Sequence, residues 1–338
     1  MLQSPPQPKF LARAPKAPAH EHEHENLERH PHDNDDGRYA MSSNPRAEAI
    51  AAYDKPWAYV VLTKPDVTFL VVITTVAGFY LGSAGPMEWA RLMNTLCGTL
   101  LVAGGTAALN QYVERHMDSV MRRTASRPLP LGILQPKEVL LFGVATIIAG
   151  AIWLALAVNA LAASIALVTS VSYLGAYTPL KTRTTLATAV GAIPGALPPL
   201  IGWAAASGTL SAGAWILFAI LFFWQFPHFM AIAWMYREDY GRAGILMLPV
   251  VDRSGDRTFR LIIATSAILI PVSVLPAVLG MATINYFYGA LILGLLLLLV
   301  SYWANRVRTN VRAKWLMHAT VAHIPLLLGW MILDKVAR

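Results

Sequence analysis

From about residue 62 to its end, the chain alternates long apolar stretches with short polar connections. The apolar stretches lie near residues 62–83, 89–112, 138–158, 160–178, 186–206, 211–235, 259–279, 283–304 and 315–334. At 1.5 Å of rise per residue, each is long enough to cross about 30 Å of hydrocarbon as a helix, which satisfies its own backbone hydrogen bonds there. The pattern predicts an all-α, polytopic membrane protein with nine transmembrane helices.

Residues 1–55 read differently. Pro5, Pro6, Pro8, Pro15 and Pro18 are followed by EHEHENLERHPHDNDDG, with no apolar periodicity. This predicts a disordered polar tail, 1–55, ahead of a membrane domain, 56–338. His20, His22, His24, His30 and His32 lie in the tail, where nothing fixes a coordination geometry, so they read as solvated side chains. The start has no apolar core and is acid-rich, unlike an export or transit signal.

Charge fixes an orientation. All of the 27 lysines and arginines except Arg91, Lys335 and Arg338 fall in the tail and the run-up to the first stretch or around the connections after the second, fourth, sixth and eighth stretches. By the positive-inside rule that loaded face is cytoplasmic, with the N-terminus inside and the C-terminus periplasmic, in a bacterial cytoplasmic (inner) membrane. Composition agrees with a bilayer solvent: 56% hydrophobic, 14% charged, mean hydropathy +0.48. The single cysteine, Cys97, excludes an internal disulfide and a CxxC metal site.

The opposite face offers only SAGPMEWA, VNAL, SGTLSAG and GMATIN, so the chemistry is expected on the loaded side. There the second stretch ends NQYVERHMDSVMRRTASRPLP. Asn110, Glu114 and Asp118 recur every four residues and stack on one face if the helix continues, about 6 Å apart. A carboxamide and two carboxylates are hard oxygen ligands suited to Mg²⁺ bridging a substrate's phosphates. The alternative is a salt-bridged face in which Asp118 pairs with Arg122. After the sixth stretch, WQFPHFMAIAWMYREDYGRAGILMLP brings a second acidic pair, Glu238 and Asp239, to the same side. Two such clusters facing one another across a bundle would hold cations against one diphosphate. Arg122, Arg123, Arg127, Lys181, Arg183 and Arg237 are candidate partners for its oxygens, although topology accounts for each of them singly. Asp252 and Asp256 share the i,i+4 spacing, but the RSG between them reads as a solvated loop.

These segments, with SYLGAYTPLKTRTTLATAVGAIPGALPPLIGW and MHATVAHIPLLL, resemble the UbiA superfamily of intramembrane prenyltransferases, and within it the branch that farnesylates haem. The resemblance covers essentially everything after the tail and implies a UbiA-type bundle. It assigns Asn110, Glu114 and Asp118 to the first Mg²⁺–diphosphate motif, and Asp239, with Glu238 beside it, to the second. Two departures stand out. The wider superfamily often has aspartate at Glu114, and His116 stands where relatives frequently carry an acid, so His116 is not offered as a ligand. Tyr236 and Tyr240 stand where the second motif elsewhere has aspartate.

The implied substrates are farnesyl diphosphate and haem B, with Mg²⁺ as cofactor. The implied surroundings are the lipid bilayer and a downstream haem A synthase, with no nucleic acid. Departure of diphosphate would leave a farnesyl cation in a dry apolar site, a haem vinyl group would attack it, and water would complete the hydroxyethylfarnesyl group of haem O. No protein nucleophile is required.

His228, in PHF, is a candidate axial ligand or propionate partner for haem; beside Pro227 it reads equally as a hydrogen-bonded packing histidine. His318 and His323 are weaker candidates. Tyr173 and Tyr177, four apart and near Lys181, are candidates to line the pocket, although aromatic residues near a membrane interface are ordinary. The glycines and prolines of GAIPGALPPLIGW predict close helix approach and a break in the fifth stretch. A transporter would place polar residues near the midplane and show an inverted repeat, whereas here charges gather at one interface and no repeat is visible. A prenyltransferase acting on a quinone or chlorin precursor would share the acidic motifs without YTPLK and WQFPHF.

Overall fold

The apolar stretches become helices whose ends fall close to those expected. The computed structural model describes residues 53–336; all but the last three residues of the expected tail, its five histidines included, lie outside them. Among the described residues, nine helices are long and apolar enough to cross a membrane: α1 Pro65–Gly82, α2 Trp89–Val120, α3 Pro136–Ala157, α4 Ala160–Leu180, α5 Ala187–Ser207, α6 Ala212–Met235, α7 Asp256–Val278, α8 Ile284–Arg306 and α9 Asn310–Leu333. The main departure is at α2, which runs on to Val120 and so carries the whole NQYVERHMDSV segment inside one helix. A separate helix, Lys55–Leu62, precedes α1; Asp54 caps it by accepting a hydrogen bond from Trp57 N at 2.8 Å.

Small residues let these helices meet at backbone distance, as expected where lipid removes the hydrophobic drive for association. Gly98 and Gly105 of α2 face Gly150 and Gly143 of the antiparallel α3. A Cβ at Gly105 would lie 2.6 Å from Gly143 O, and one at Gly150 would lie 2.7 Å from Gly98 O. Between α1 and α5 the approach is closer still: a Cβ at Gly202 would meet Thr75 O at 2.0 Å, and one at Gly78 would meet Pro199 O at 2.0 Å. Helix α5 breaks at Leu197 into Ala187–Ala196 and Pro198–Ser207, since Pro198 cannot donate to the preceding turn. Together with α6 it is the most buried of the spans.

Exposed aromatic residues form a belt at each end. Trp57, Tyr302, Trp303 and Trp315 lie toward the basic end, and Trp89, Trp153, Trp215, Tyr288 and Trp330 toward the other. The second end is tied shut by polar contacts of the last span. Asp334 accepts from Thr283 N and Oγ1 and from Tyr286 N, and Lys335 Nζ donates to Tyr80 O and Ser83 O.

Candidate active site

The extension of α2 places four polar side chains on one buried face at the basic end of the bundle. Asn110, Gln111, Glu114 and Asp118 are each 5% exposed or less. Each of the three motif residues meets a cation from a different part of the chain. Asn110 Oδ1 accepts from Lys64 Nζ at 2.9 Å, Glu114 Oε1 pairs with Lys181 Nζ at 2.5 Å, and Asp118 Oδ2 pairs with Arg127 Nη1 at 2.7 Å. Asp118 therefore takes Arg127, not the Arg122 one turn ahead of it; the chain reverses after Val120, which returns Arg127 to the helix end.

Lys64 was not singled out by the sequence. It occupies the corner between the Lys55–Leu62 helix and α1 and has φ of +50°, the sole positive φ on a non-glycine residue among those described. The following Pro65 disfavours a helical conformation at this position. The left-handed turn aims the side chain back across α2, and such strain persists only where its surroundings hold it. Burial, reinforced by the neighbouring charge of Arg127, pushes the Lys64 ammonium down to about 8. At Lys181 burial also opposes the charge, but Tyr177, Tyr173 and Glu114 outweigh it and hold the ammonium above the usual lysine range.

Helix α4 carries the aromatic side of the site. Tyr173–Tyr177 forms a π-turn, a local widening that recurs at functional sites. The two tyrosine rings stand 5.1 Å apart, and Lys181 Nζ lies 4.4 Å from the centre of the Tyr177 ring. Thr178, in the next turn, accepts from Asn110 Nδ2 at 3.4 Å, which closes the polar cluster from above.

The second acidic segment forms a short helix, Arg237–Arg242, at the rim. A cleft of about 440 Å³ is lined by Arg122, Arg123, Met235, Tyr236, Glu238, Asp239 and Arg242. Asp239 pairs with Arg242, and Glu238 is exposed. Arg123 bridges the two segments: its guanidinium lies 5.4 Å from the Tyr236 ring centre and 5.9 Å from that of Tyr240, and donates to Tyr240 Oη at 3.4 Å. Burial pushes the Tyr240 hydroxyl up. The backbone joins in, since Leu246 N donates to Lys181 O at 2.7 Å. The two acidic segments thus share one end of the molecule, but among the described residues no three acidic, histidine or cysteine side chains come together as a metal cage.

Two candidate cations point elsewhere. Arg237 donates to Trp234 O and to Asn310 Oδ1 at the start of α9, and Arg183 is exposed. The DRSGD segment is structural: Asp252 accepts from Thr258 N and Oγ1 at the start of α7, and Asp256 pairs with Arg308.

The α2 face fits a hard divalent cation. Asp118 Oδ1 is a buried oxygen with no protein partner among the described residues, and it shares its face with a carboxylate and a carboxamide oxygen. His228 lies two turns inside α6, half-buried, with Nδ1 2.9 Å from Thr320 Oγ1 of α9. Of the residues the sequence missed, Lys64 had one available signal, a lysine immediately before the first span's proline. Thr320 had none, because its role depends on a segment far away in sequence.

Known proteins resemble the chain in sequence and in fold. It is 50% identical over 286 residues to a protoheme IX farnesyltransferase of Solibacter usitatus (strain Ellin6076), covering 82% of this chain and 98% of that one. It is 45% identical over 287 residues to the protein of the same name from Koribacter versatilis (strain Ellin345), covering 82% and 93%. Among solved structures, a digeranylgeranylglyceryl phosphate synthase superimposes with a TM-score of 0.70 at 17% identity, covering 83% of this chain and 99% of that one. A UbiA homologue from Archaeoglobus fulgidus bound to DMAPP and Mg²⁺ superimposes with a TM-score of 0.59 at 15% identity, covering 81% and 98%. The family model described as the UbiA prenyltransferase family matches residues 71–326. With nine membrane-length helices among its described residues and a polar cluster at one end of them, the chain belongs to the UbiA prenyltransferase family.

Proposed function

We propose that the protein transfers the farnesyl group of farnesyl diphosphate to a vinyl group of haem B, with addition of water, releasing haem O and diphosphate, in a Mg²⁺-dependent reaction at the basic end of the bundle. One observation carries the reading of the site: two carboxylates and a carboxamide lie buried at the end of an apolar span, each held by a cation from a separate segment. Ionisable groups within a membrane helix are retained for function, since each is expensive to bury. Mg²⁺ held by Asn110, Glu114 and Asp118 would neutralise part of the diphosphate charge.

The chain's own part follows from its geometry. Lys64, Arg127 and Lys181 already touch the three motif side chains, so they lie beside whatever those side chains bind. As the bond between the farnesyl carbon and the diphosphate oxygen breaks, negative charge grows on the leaving group, and cations fixed in advance stabilise it without reorganisation. Lys181 supplies a charge that persists through the working pH range. Tyr173 and Tyr177 cover Lys181 with aromatic surface and keep water from the developing allylic cation. Arg122 and Arg123, with Glu238 and Asp239 opposite, form the rim through which diphosphate enters and leaves. His228 is the haem contact. By the positive-inside rule the basic end is cytoplasmic and the C-terminus periplasmic, in a bacterial inner membrane. The haem O released is the substrate a downstream haem A synthase would require.

The test is direct: supply the purified protein with haem B, farnesyl diphosphate and Mg²⁺ and follow the tetrapyrrole by mass spectrometry. Hydroxyethylfarnesyl haem is the expected product. A folded preparation that leaves haem B unchanged but prenylates a quinone precursor would overturn the choice of acceptor.

A further inference from the structure

Two hydrogen bonds point to Nδ1 as the nitrogen of His228 that carries the ring proton. Thr320 Oγ1 donates its one hydrogen to Met317 O, 2.6 Å away in the preceding turn of α9. With that hydrogen committed, Oγ1 can only accept from His228 Nδ1, 2.9 Å away. Nδ1 therefore bears the hydrogen and Nε2 the lone pair. Among the described residues no protein group partners Nε2, although the ring is half-buried inside a membrane span.

The ring is also locked in plane. It stacks on Trp224 with centroids 4.9 Å apart and 15° between planes, and the Trp224 indole N–H donates to Thr320 O at 2.7 Å. Thr320 thus anchors both the imidazole and the indole beneath it. A histidine serving only to join α6 to α9 needs the Nδ1 contact alone. Orienting the other nitrogen, with its tautomer fixed and its lone pair unused, is the arrangement proteins use to present imidazole to a metal.

We propose that Thr320 is a positioning residue that holds His228 in its Nδ1–H tautomer, so that Nε2 donates its electron pair to the iron of the haem acceptor. This rests on haem being the acceptor. An Fe–N bond to a ring that cannot rotate fixes the porphyrin plane, and with it the position of the vinyl group relative to the allylic carbon.

The experiment uses the full-length protein in lipid nanodiscs, titrated with haem B and read by resonance Raman spectroscopy of the ferrous state. Wild type is expected to show an iron–histidine stretch that His228→Ala abolishes and added imidazole restores. Thr320→Val keeps shape but removes the acceptor; it is expected to weaken haem binding about 10-fold and to move the iron–histidine band, with farnesyl diphosphate binding unchanged. Thr320→Ser is expected to restore both. An unchanged band in His228→Ala, or a Thr320→Val protein matching wild type in affinity and band, would overturn the inference. Wild type that farnesylates haem B without any histidine-ligated iron overturns this inference alone, whereas wild type that neither binds nor farnesylates haem B overturns the acceptor as well.

Discussion

At the scale of single residues, the site is a set of three oxygen-bearing side chains and the three cations that hold them. Asp118→Asn keeps the side-chain volume and removes the charge, so it should abolish farnesyl transfer while the protein still inserts and elutes as a single species in size-exclusion chromatography; retained turnover would remove Asp118 from the metal site. Lys64→Met should weaken farnesyl diphosphate binding about 10-fold, the size of one charge-assisted hydrogen bond, and leave haem binding unaltered in the same calorimetric titration. The two residues differ in how legible they were. Asn110, Glu114 and Asp118 announce themselves by spacing, because a four-residue recurrence is a property of one helix. Lys64, Arg127 and Thr320 act across distances of 46, 9 and 92 residues along the chain, and no local pattern encodes a contact made by tertiary packing. The alternative pairing of Asp118 with Arg122 shows the same limit, since it assumed a helix that continues where the chain in fact turns.

At the scale of elements, most of the architecture could be read in advance, because in hydrocarbon the backbone has few choices. The break in α5 was visible as GAIPGALPPLIGW. The π-turn of α4 was not, since YLGAY carries no signal separating it from ordinary helix. Close helix contact gives a sharp test: Gly202→Ala drives a methyl group against Thr75 O, and overpacking of this kind costs about 1–3 kcal/mol. The midpoint of thermal unfolding in detergent should fall by roughly 2–4 °C for each kcal/mol lost, with Gly85→Ala, which meets no neighbour, as the silent control. A second test concerns the start of α7. Burial tends to raise the Asp252 carboxyl, but hydrogen bonds from Thr258 outweigh it and hold the group below the usual range. A depressed carboxylate stabilises the fold above its unfolded value of about 3.9 and loses that contribution as pH falls through the folded value. Asp252→Ala should therefore lower stability by about 1 kcal/mol at pH 7, and its difference from wild type in thermal melts should close as the pH drops below about 4.

At the scale of the whole molecule, the charge census and the site agree on one end of the bundle. The basic connections, the polar face of α2 and the Arg237–Arg242 rim lie together, and the opposite end is closed by Asp334 and Lys335. A fluorescent protein fused after Arg338 should be dark and alkaline phosphatase at the same place active, if the C-terminus is periplasmic. The identity of the acceptor was the part least legible from physical pattern: charge and spacing point to a diphosphate, whereas haem rests on relatedness and on His228. The central claim, that the buried face of α2 grips a Mg²⁺-bound diphosphate, is tested most directly by calorimetric titration of farnesyl diphosphate with and without Mg²⁺. Wild type should bind more tightly with Mg²⁺ than without it, and the Glu114→Gln, Asp118→Asn double variant should lose that enhancement. A double variant that keeps the full Mg²⁺ effect would contradict the account.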